Sequence, residues 1–377
     1  MADLNLPLDT LTRALGDAGL LEAVSEAEGV TLNGVSQDSR TLKPGDLFLA
    51  WKGVDHDAHD YLQDAAKGGA AAAVVETLHP EVVLPQLQVS DGRLAGALAA
   101  DLVFGSPWAG LFLAGITGTN GKTTTSVLGR HLLACRGRAR CIGTLGLVEE
   151  DGEVRAGTEG LTTPGPVQLS AWIREMADDG VAYGTLEASS HALEQRRLDG
   201  LRFDCAVFAT LGRDHLDYHT DFDDYRDAKA RLIGLLKPTG WAVIRRDEPG
   251  WSVLDLPTDR SIIFGIEDPH PRELPEAFRT AALVTAEDLE LGAGGSTFRL
   301  TDGEEDVQVV LPLLGRFNVE NALAAAGVAK AAGISLPEIG EGLSNAPQIP
   351  GRLQLVVADP FRVLIDFAHT PDALDNV

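Results

Sequence analysis

Between Val30 and about Trp108 the apolar positions fall into short runs whose spacing alternates between that of a strand and that of a helix. DLFLAWKG (46–53) and AAVVE (72–76) have strand character, and DYLQDAAKGGA (60–70) between them has helical spacing. Turn-rich GSPW at 105–108 closes this small α/β unit. A longer α/β pattern begins at Gly110. LFLAGIT (111–117) is an unbroken apolar run of the kind that fills a buried parallel strand, and it leads into a glycine-rich loop and a helix. VAYGTLEA (181–188), DCAVFATLG (204–212), WAVIRR (241–246) and SIIFG (261–265) predict further strands. Helical patterns separate the first four strands of this series, which argues for a mainly parallel sheet.

The pattern changes near Ser296–Leu313. STFRL and VQVVLPL flank Asp302-Gly303 and predict a hairpin, and NVENALAAAGVAKAAG (318–333) predicts an alanine-rich helix closed by Gly333. After NAPQIPG (345–351), RLQLVVA (352–358) and FRVLIDFA (361–368) predict two strands, and the sequence given ends at Val377. Two strands and a turn cannot bury a core, so they are expected to open a third domain in a chain that is truncated or naturally short. The expected class is α/β, organised as 1–108, 109–347 and 348–377.

Composition narrows the partners. Hydrophobic residues make up 44% of the chain and charged residues 23%, a globular balance. The formal net charge of −25, from 56 acidic and 31 basic residues, repels nucleic acid and anionic membrane. Cys135, Cys141 and Cys205 lack metal or disulfide spacing and read as reduced thiols. The start MADLNLPLDT lacks the basic and apolar regions of a signal peptide, and no window approaches the ~20 apolar residues of a membrane span. The chain reads as cytoplasmic and is expected to be a monomer.

The chemistry starts at GITGTNGKTTT (115–125). A strand, a glycine-rich loop and then Gly121-Lys122-Thr123 opening a helix make a polyphosphate cradle. Backbone N–H groups face the anion, Lys122 adds a charge and the Thr123 hydroxyl can bind Mg²⁺. The spacing departs from GxxxxGK[ST], because Gly115 lies six residues before Gly121. Glu187, at the predicted carboxyl end of a strand, is a candidate Mg²⁺ ligand or else a solvated loop carboxylate. Asp214-His215 follows the next strand at the equivalent edge. In DDYRDAKARLIGLL (223–236), Lys229 shares an apolar stripe with Tyr225, Leu232, Ile233 and Leu236. Read from these residues alone, Lys229 snorkels to the edge of that face.

GTNGKTTT (118–125) resembles the nucleotide loop of the Mur ligases, which build the peptide of bacterial peptidoglycan, and of their folylpolyglutamate synthetase relatives. The extra loop residue is shared with that family. The resemblance implies ATP contacts from Gly118, Thr119, Asn120, Gly121, Lys122, Thr123 and Thr124, and from Asn318 and Asn321 in NVENALAAA. Capping of the helix by Asn318 is an equally good reading of that residue. Gly351-Arg352 and DFAHTPDAL (366–374) resemble the start of a Rossmann-like C-terminal domain, with Arg352, Asp366 and His369 at ATP-contacting places. Asp214-His215-Leu216-Asp217 matches the family's DHLD motif, and the resemblance implies that Lys229 is carbamylated by CO₂. Thr123 and Glu187 would then hold one Mg²⁺, with a second near His215 and the Lys229 carbamate. Thr210 stands where the family usually has asparagine.

VSQDSRTLKPGDLFLAWKG (35–53), with GVDHDAHDY (53–61), is similar to the family's UDP-sugar domain. With LTTPGP (161–166) and SSHALEQRRL (189–198), it resembles the branch that adds a third residue to UDP-N-acetylmuramoyl-L-alanyl-D-glutamate. Ser39, Thr162, Thr163, Ser189, Gln195 and Arg197 would contact that substrate. Without the family, the TTP is a turn and Arg197 a surface charge. The implied reaction is ATP-driven formation of an acyl phosphate, followed by attack of an amino acid's amine. The segment that selects the amino acid is expected beyond Val377, and a chain ending there is expected to bind the UDP-sugar peptide but turn over very slowly. The rival expectations are a folylpolyglutamate synthetase-like ligase and a nucleotide-binding, catalytically incomplete relative.

Overall fold

The computed structural model describes residues 5–25, 28–53, 56–158, 160–215, 217–257, 259–267, 278, 281–359, 361–368 and 374. By internal packing the chain divides into two compact units. One comprises Met1–Gly110, Pro164–Gly180 and Glu194–Arg202, the other Leu111–Thr163, Val181–Leu193 and Phe203–Val377.

The first unit starts with β1 (Leu6–Pro7), α1 (Leu8–Asp17), β2 (Leu21–Val24), β3 (Thr31–Leu32), β4 (Gly34–Ser36) and β5 (Asp46–Leu49). It continues with α2 (Leu62–Lys67), β6 (Ala72–Val75), β7 (Gln86–Val89) and α3 (Gly92–Val103). Its main sheet has the order β2-β7-β6-β5-β4, with β4 to β7 parallel and β2 antiparallel at one edge. Both faces are covered, which explains the unbroken apolar runs. Leu47 and Leu49 face a cluster containing Leu8, Leu11 and Leu15 of α1 and Ala95, Ala99 and Val103 of α3. Phe48 and Ala50, one residue out of phase, face Leu62 and Ala65 of α2.

The second unit opens with β8 (Phe112–Thr117), α4 (Lys122–Leu133), β9 (Ala139–Gly143), β10 (Gly146–Val148) and β11 (Val154–Arg155). Next in the chain, α5 (Pro166–Asp178) packs with the first unit, before β12 (Tyr183–Glu187), α6 (Ser190–Glu194) and β13 (Phe203–Phe208). Then come α7 (Phe222–Ala230), β14 (Leu236–Arg245), β15 (Ser261–Ile266), β16 (Ala282–Gly292), β17 (Gly295–Thr301) and β18 (Asp306–Leu311). The described chain finishes with α8 (Arg316–Ala331), α9 (Leu336–Ser344), β19 (Gln354–Val357) and β20 (Val363–Ile365). One sheet of eleven strands, in the order β11-β10-β9-β12-β8-β13-β14-β15-β16-β17-β18, dominates this unit. Its centre from β9 to β16 is parallel, as the strand–helix alternation predicts, and antiparallel hairpins extend both edges.

Three details differ from the sequence reading. The strand predicted over 204–212 leaves the sheet after Phe208, because residues 209–212 turn to bond the loop after β8. The apolar stripe over 223–236 is not one helix: α7 ends at Ala230, a 3₁₀ turn spans Arg231–Leu235, and Leu236 already belongs to β14. The predicted strands of 352–368 form the antiparallel pair β19–β20, which packs by contact within the second unit. Among the described residues, no helix is long and apolar enough to cross a membrane.

Candidate active site

The loop Gly118–Gly121 joins β8 to α4 at the carboxyl edge of the parallel strands. Gly121 caps α4 at φ 86°, and a Cβ there would lie 2.2 Å from Asn321 Oδ1. Only glycine lets α8 approach the loop this closely. Thr119 fastens the loop to the chain after β13. Its amide donates to Thr210 O at 2.6 Å, and its hydroxyl donates to Gly212 O at 3.1 Å. That hydroxyl accepts from Gly212 N and from the Tyr225 hydroxyl, each at 2.9 Å.

Lys122 curls back over the loop and donates to Gly118 O at 2.9 Å and Thr119 O at 3.0 Å. Lys229 approaches the same Gly118 oxygen at 2.9 Å, with its ammonium 4.5 Å from the centre of the Tyr225 ring. Lys229 is 1% exposed, so it does not snorkel: the Gly118 carbonyl and the Tyr225 ring meet its amine inside the protein. Burial pushes its pKa well below the ordinary lysine value, the nearby Lys122 pushes the same way, and Asp214 opposes them. Burial also lowers the Lys122 pKa, against the pull of Glu187 and Asp214.

Glu187 ends β12 and is 2% exposed, not a solvated loop carboxylate. Its carboxylate accepts from Thr144 N at 2.9 Å, Thr144 Oγ1 at 3.0 Å and Thr123 Oγ1 at 3.2 Å. Burial raises its pKa, and Lys122 with these donors partly offsets the rise. Gly143 makes room for it, since a Cβ there would sit 2.1 Å from Glu187 Oε1. Arg352 donates to Thr123 Oγ1 at 3.1 Å, which brings the start of the C-terminal segment to the phosphate loop.

His215 lies at φ 53° in the turn after β13, with Asp214 3.7 Å from its Nε2. Its ring meets His191 edge-on at 4.7 Å between centres. Burial lowers its pKa, with Asp214 opposing. Among the described residues, no group of three or more His, Cys, Asp or Glu is placed to hold a metal ion.

Asn318 and Asn321 are buried on α8, where Asn321 donates to Asn318 Oδ1 at 3.3 Å. Asn318 is not the cap: Gly315 holds that position, and Asn318 donates to Leu314 O at 2.8 Å. Asp366 accepts from Leu353 N at 2.7 Å and Ala368 N at 2.6 Å, and so shapes the C-terminal turn. His369 lies outside the described residues.

The substrate candidates fall in both units. Thr163 donates to the Glu187 carbonyl at 2.7 Å and lies 3.2 Å from Ser189 Oγ, and Thr162 meets Thr144 at 3.4 Å. These hydroxyls border the carboxylate site. In the first unit, Arg197 grips Gln195 Oε1 at 2.6 and 3.2 Å, and half-buried Ser39 follows β4. A cavity of about 230 Å³ in that unit is lined by Gln37, Trp51, His56 and Tyr61 among others. Sequence reasoning missed Thr144 because no strand was assigned to 139–143. Tyr225 was read only as part of an apolar stripe, although its spacing of four from Lys229 was a usable signal.

This arrangement defines a nucleotide-dependent α/β enzyme site, and comparison with known proteins names its class. The Mur ligase middle domain matches residues 116–329. The chain belongs to the Mur ligase family. The UDP-N-acetylmuramoyl-L-alanyl-D-glutamate--2,6-diaminopimelate ligase of Bacillus licheniformis is 36% identical over 376 residues, spanning 97% of this chain and 74% of its own. The ligase of that description from Geobacter metallireducens is 39% identical over 367 residues, spanning 94% of this chain and 69% of its own. A solved structure of a ligase of the same description superposes with a TM-score of 0.75 at 31% identity, covering 91% of this chain and 68% of that one.

Proposed function

We propose that this chain is an ATP-dependent ligase that adds 2,6-diaminopimelate to UDP-N-acetylmuramoyl-L-alanyl-D-glutamate in peptidoglycan precursor synthesis. The observation that carries the reading is the convergence of Lys122 and Lys229 on the Gly118 carbonyl, beside buried Glu187. A phosphate loop alone would serve many nucleotide enzymes. A buried lysine against that loop, whose charged form burial disfavours, supports a reaction that uses a CO₂-modified lysine.

The chemistry follows from these groups. A substrate carboxylate oxygen attacks the γ-phosphorus of ATP, giving an acyl phosphate and ADP. The amine of the diamino acid then attacks the acyl carbon, phosphate departs with the bonding electrons, and the amine proton passes to solvent. Lys122 and the amides at the start of α4 face the β- and γ-phosphates and stabilise charge that develops there. Glu187 and Thr123 are hard oxygen donors suited to Mg²⁺, and His215 with a Lys229 carbamate would hold a second ion. Bound Mg²⁺ would neutralise charge on the transferring phosphoryl group. The carbamate forms when the neutral Lys229 amine attacks CO₂, making an N–C bond and releasing one proton.

In the same reading Thr163 and Ser189, which bond each other beside Glu187, meet the peptide end of the substrate. The chain is read as acting in a reducing compartment, the cytoplasm, which the unpaired Cys135, Cys141 and Cys205 suit. Phosphate release from ATP by the full-length protein tests the proposal. Release is expected only with both the UDP-sugar dipeptide and diaminopimelate present. Release that ignores either one, or that runs equally on lysine, overturns it.

A further inference from the structure

We infer that Arg245, at the end of β14, is a positioning residue that sets the distance between the phosphate loop and the asparagine-bearing helix α8. One arm of its guanidinium donates to Thr210 Oγ1 at 2.6 Å, and the other to Glu320 Oε1 at 2.8 Å. Thr210 is the residue whose carbonyl receives Thr119 N at 2.6 Å, so the first arm leads directly into the loop. Glu320 lies on α8 between Asn318 and Asn321, so the second arm leads to the other end of the nucleotide site. A guanidinium is a planar fork with fixed spacing, and a lysine could not hold both partners at once.

The surroundings carry the same design. The segment after β14 grips the chain after β13 residue by residue. Trp251 is fully buried and donates to Ala209 O at 2.7 Å, Arg245 takes Thr210, and Glu248 accepts from Leu211 N at 3.1 Å. Residues 245, 248 and 251 thus form a brace behind the loop, and only Arg245 extends it to α8. The Thr210 hydroxyl is the acceptor for one arm of Arg245. The Arg245 and Glu320 side chains are each 18% exposed, and burial raises the Glu320 pKa against the opposing pull of Arg245 and Arg316.

This inference rests on the proposed ATP-dependent reaction, and nucleotide binding separates the two. In the full chain, a non-hydrolysable β,γ-imido analogue of ATP with Mg²⁺ is titrated calorimetrically, alongside the UDP-sugar dipeptide. Arg245→Met, which keeps the volume but loses both donors, is expected to weaken analogue binding by about tenfold to a hundredfold. Dipeptide affinity should stay within about twofold, and Arg245→Lys should restore part of the loss. Thr210→Val and Glu320→Gln should be non-additive with Arg245 present and additive in Arg245→Met. Unchanged analogue affinity in Arg245→Met overturns the inference while leaving the ligase reading intact. Equal weakening of both ligands with a lowered Tm reduces Arg245 to a structural role and also overturns it. Failure of the wild-type chain to bind the analogue sinks the ligase reading and this one with it.

Discussion

Gly121→Ala separates what the phosphate loop needs from what the fold needs. The backbone at Gly121 is left-handed, with φ 86°. An L-residue there costs about 1–2 kcal/mol. The new methyl would also lie 2.2 Å from Asn321 Oδ1, well inside van der Waals contact. Asn321 can swing away, at the loss of its hydrogen bond to Asn318 (about 1 kcal/mol). The expected total is therefore about 2–3 kcal/mol. Gly333→Ala is the control, since Gly333 has φ 79° with nothing within 4 Å of its Cβ position, and it should show the conformational part alone. Urea midpoints measure both variants, and the KM for ATP measures the site. Gly121→Ala should raise that KM about tenfold or more, because Asn321 is displaced, whereas Gly333→Ala should leave it near wild type. Equal destabilisation in the two variants, with ATP KM unmoved in both, would refute the close packing of α8 on the loop.

Four further outcomes follow from the buried ionisable groups. Lys229→Met should abolish ligation, by at least about a hundredfold, yet raise the urea midpoint at neutral pH when compared with wild type in CO₂-depleted buffer, where the amine is unmodified. A lysine with a depressed folded pKa contributes stability only above its unfolded pKa and loses it as pH falls through the folded value, so its removal helps below pH ~10; a lowered midpoint would count against this. Mass spectrometry of the native wild-type protein should find one CO₂ on Lys229, lost on acidification, and an unmodified lysine under CO₂-saturated conditions would refute the carbamate. Glu187→Gln puts an amide where the carboxylate receives Thr144 N, and should lower ligation at least about a hundredfold with the fold retained; activity within tenfold of wild type would exclude Glu187 from the site. Asp101, buried in the first unit, has its pKa raised from 3.8 to about 6 by burial, with its bond to Ser106 opposing. Its contribution is fully present below pH ~4 and lost as pH rises through about 6. Asp101→Asn should therefore stabilise by up to about 3 kcal/mol at pH 8 and far less at pH 4, as urea titrations at the two pH values would reveal.

Much of this molecule was written locally. The run LFLAGIT followed by GTNGKTTT contains its own instructions, because a strand, a tight glycine turn and a helix start need no distant partner to be recognised. The hairpin around Asp302-Gly303 and the alanine-rich α8 are local in the same sense, and the structure has both. Strand-end placement pointed to Glu187 and His215, and family resemblance extended that reading to Arg352.

What the sequence could not determine is where side chains end up relative to water. Lys229 sits on an apolar stripe, and the residues alone favour an escape to the surface. Tertiary packing decided otherwise, because the Tyr225 ring and Gly118 carbonyl close over the amine. Thr144 and Arg245 were equally silent, being 43 residues from Glu187 and 75 from Glu320 along the chain. A hydrogen bond across such a separation leaves no periodicity to read. The sequence by itself determined the strands, the phosphate loop and the inventory of reactive groups, since those depend on neighbours within a few residues. Only the sheet order, which sets β12, β8 and β13 side by side, decided that two lysines share one carbonyl next to a buried carboxylate.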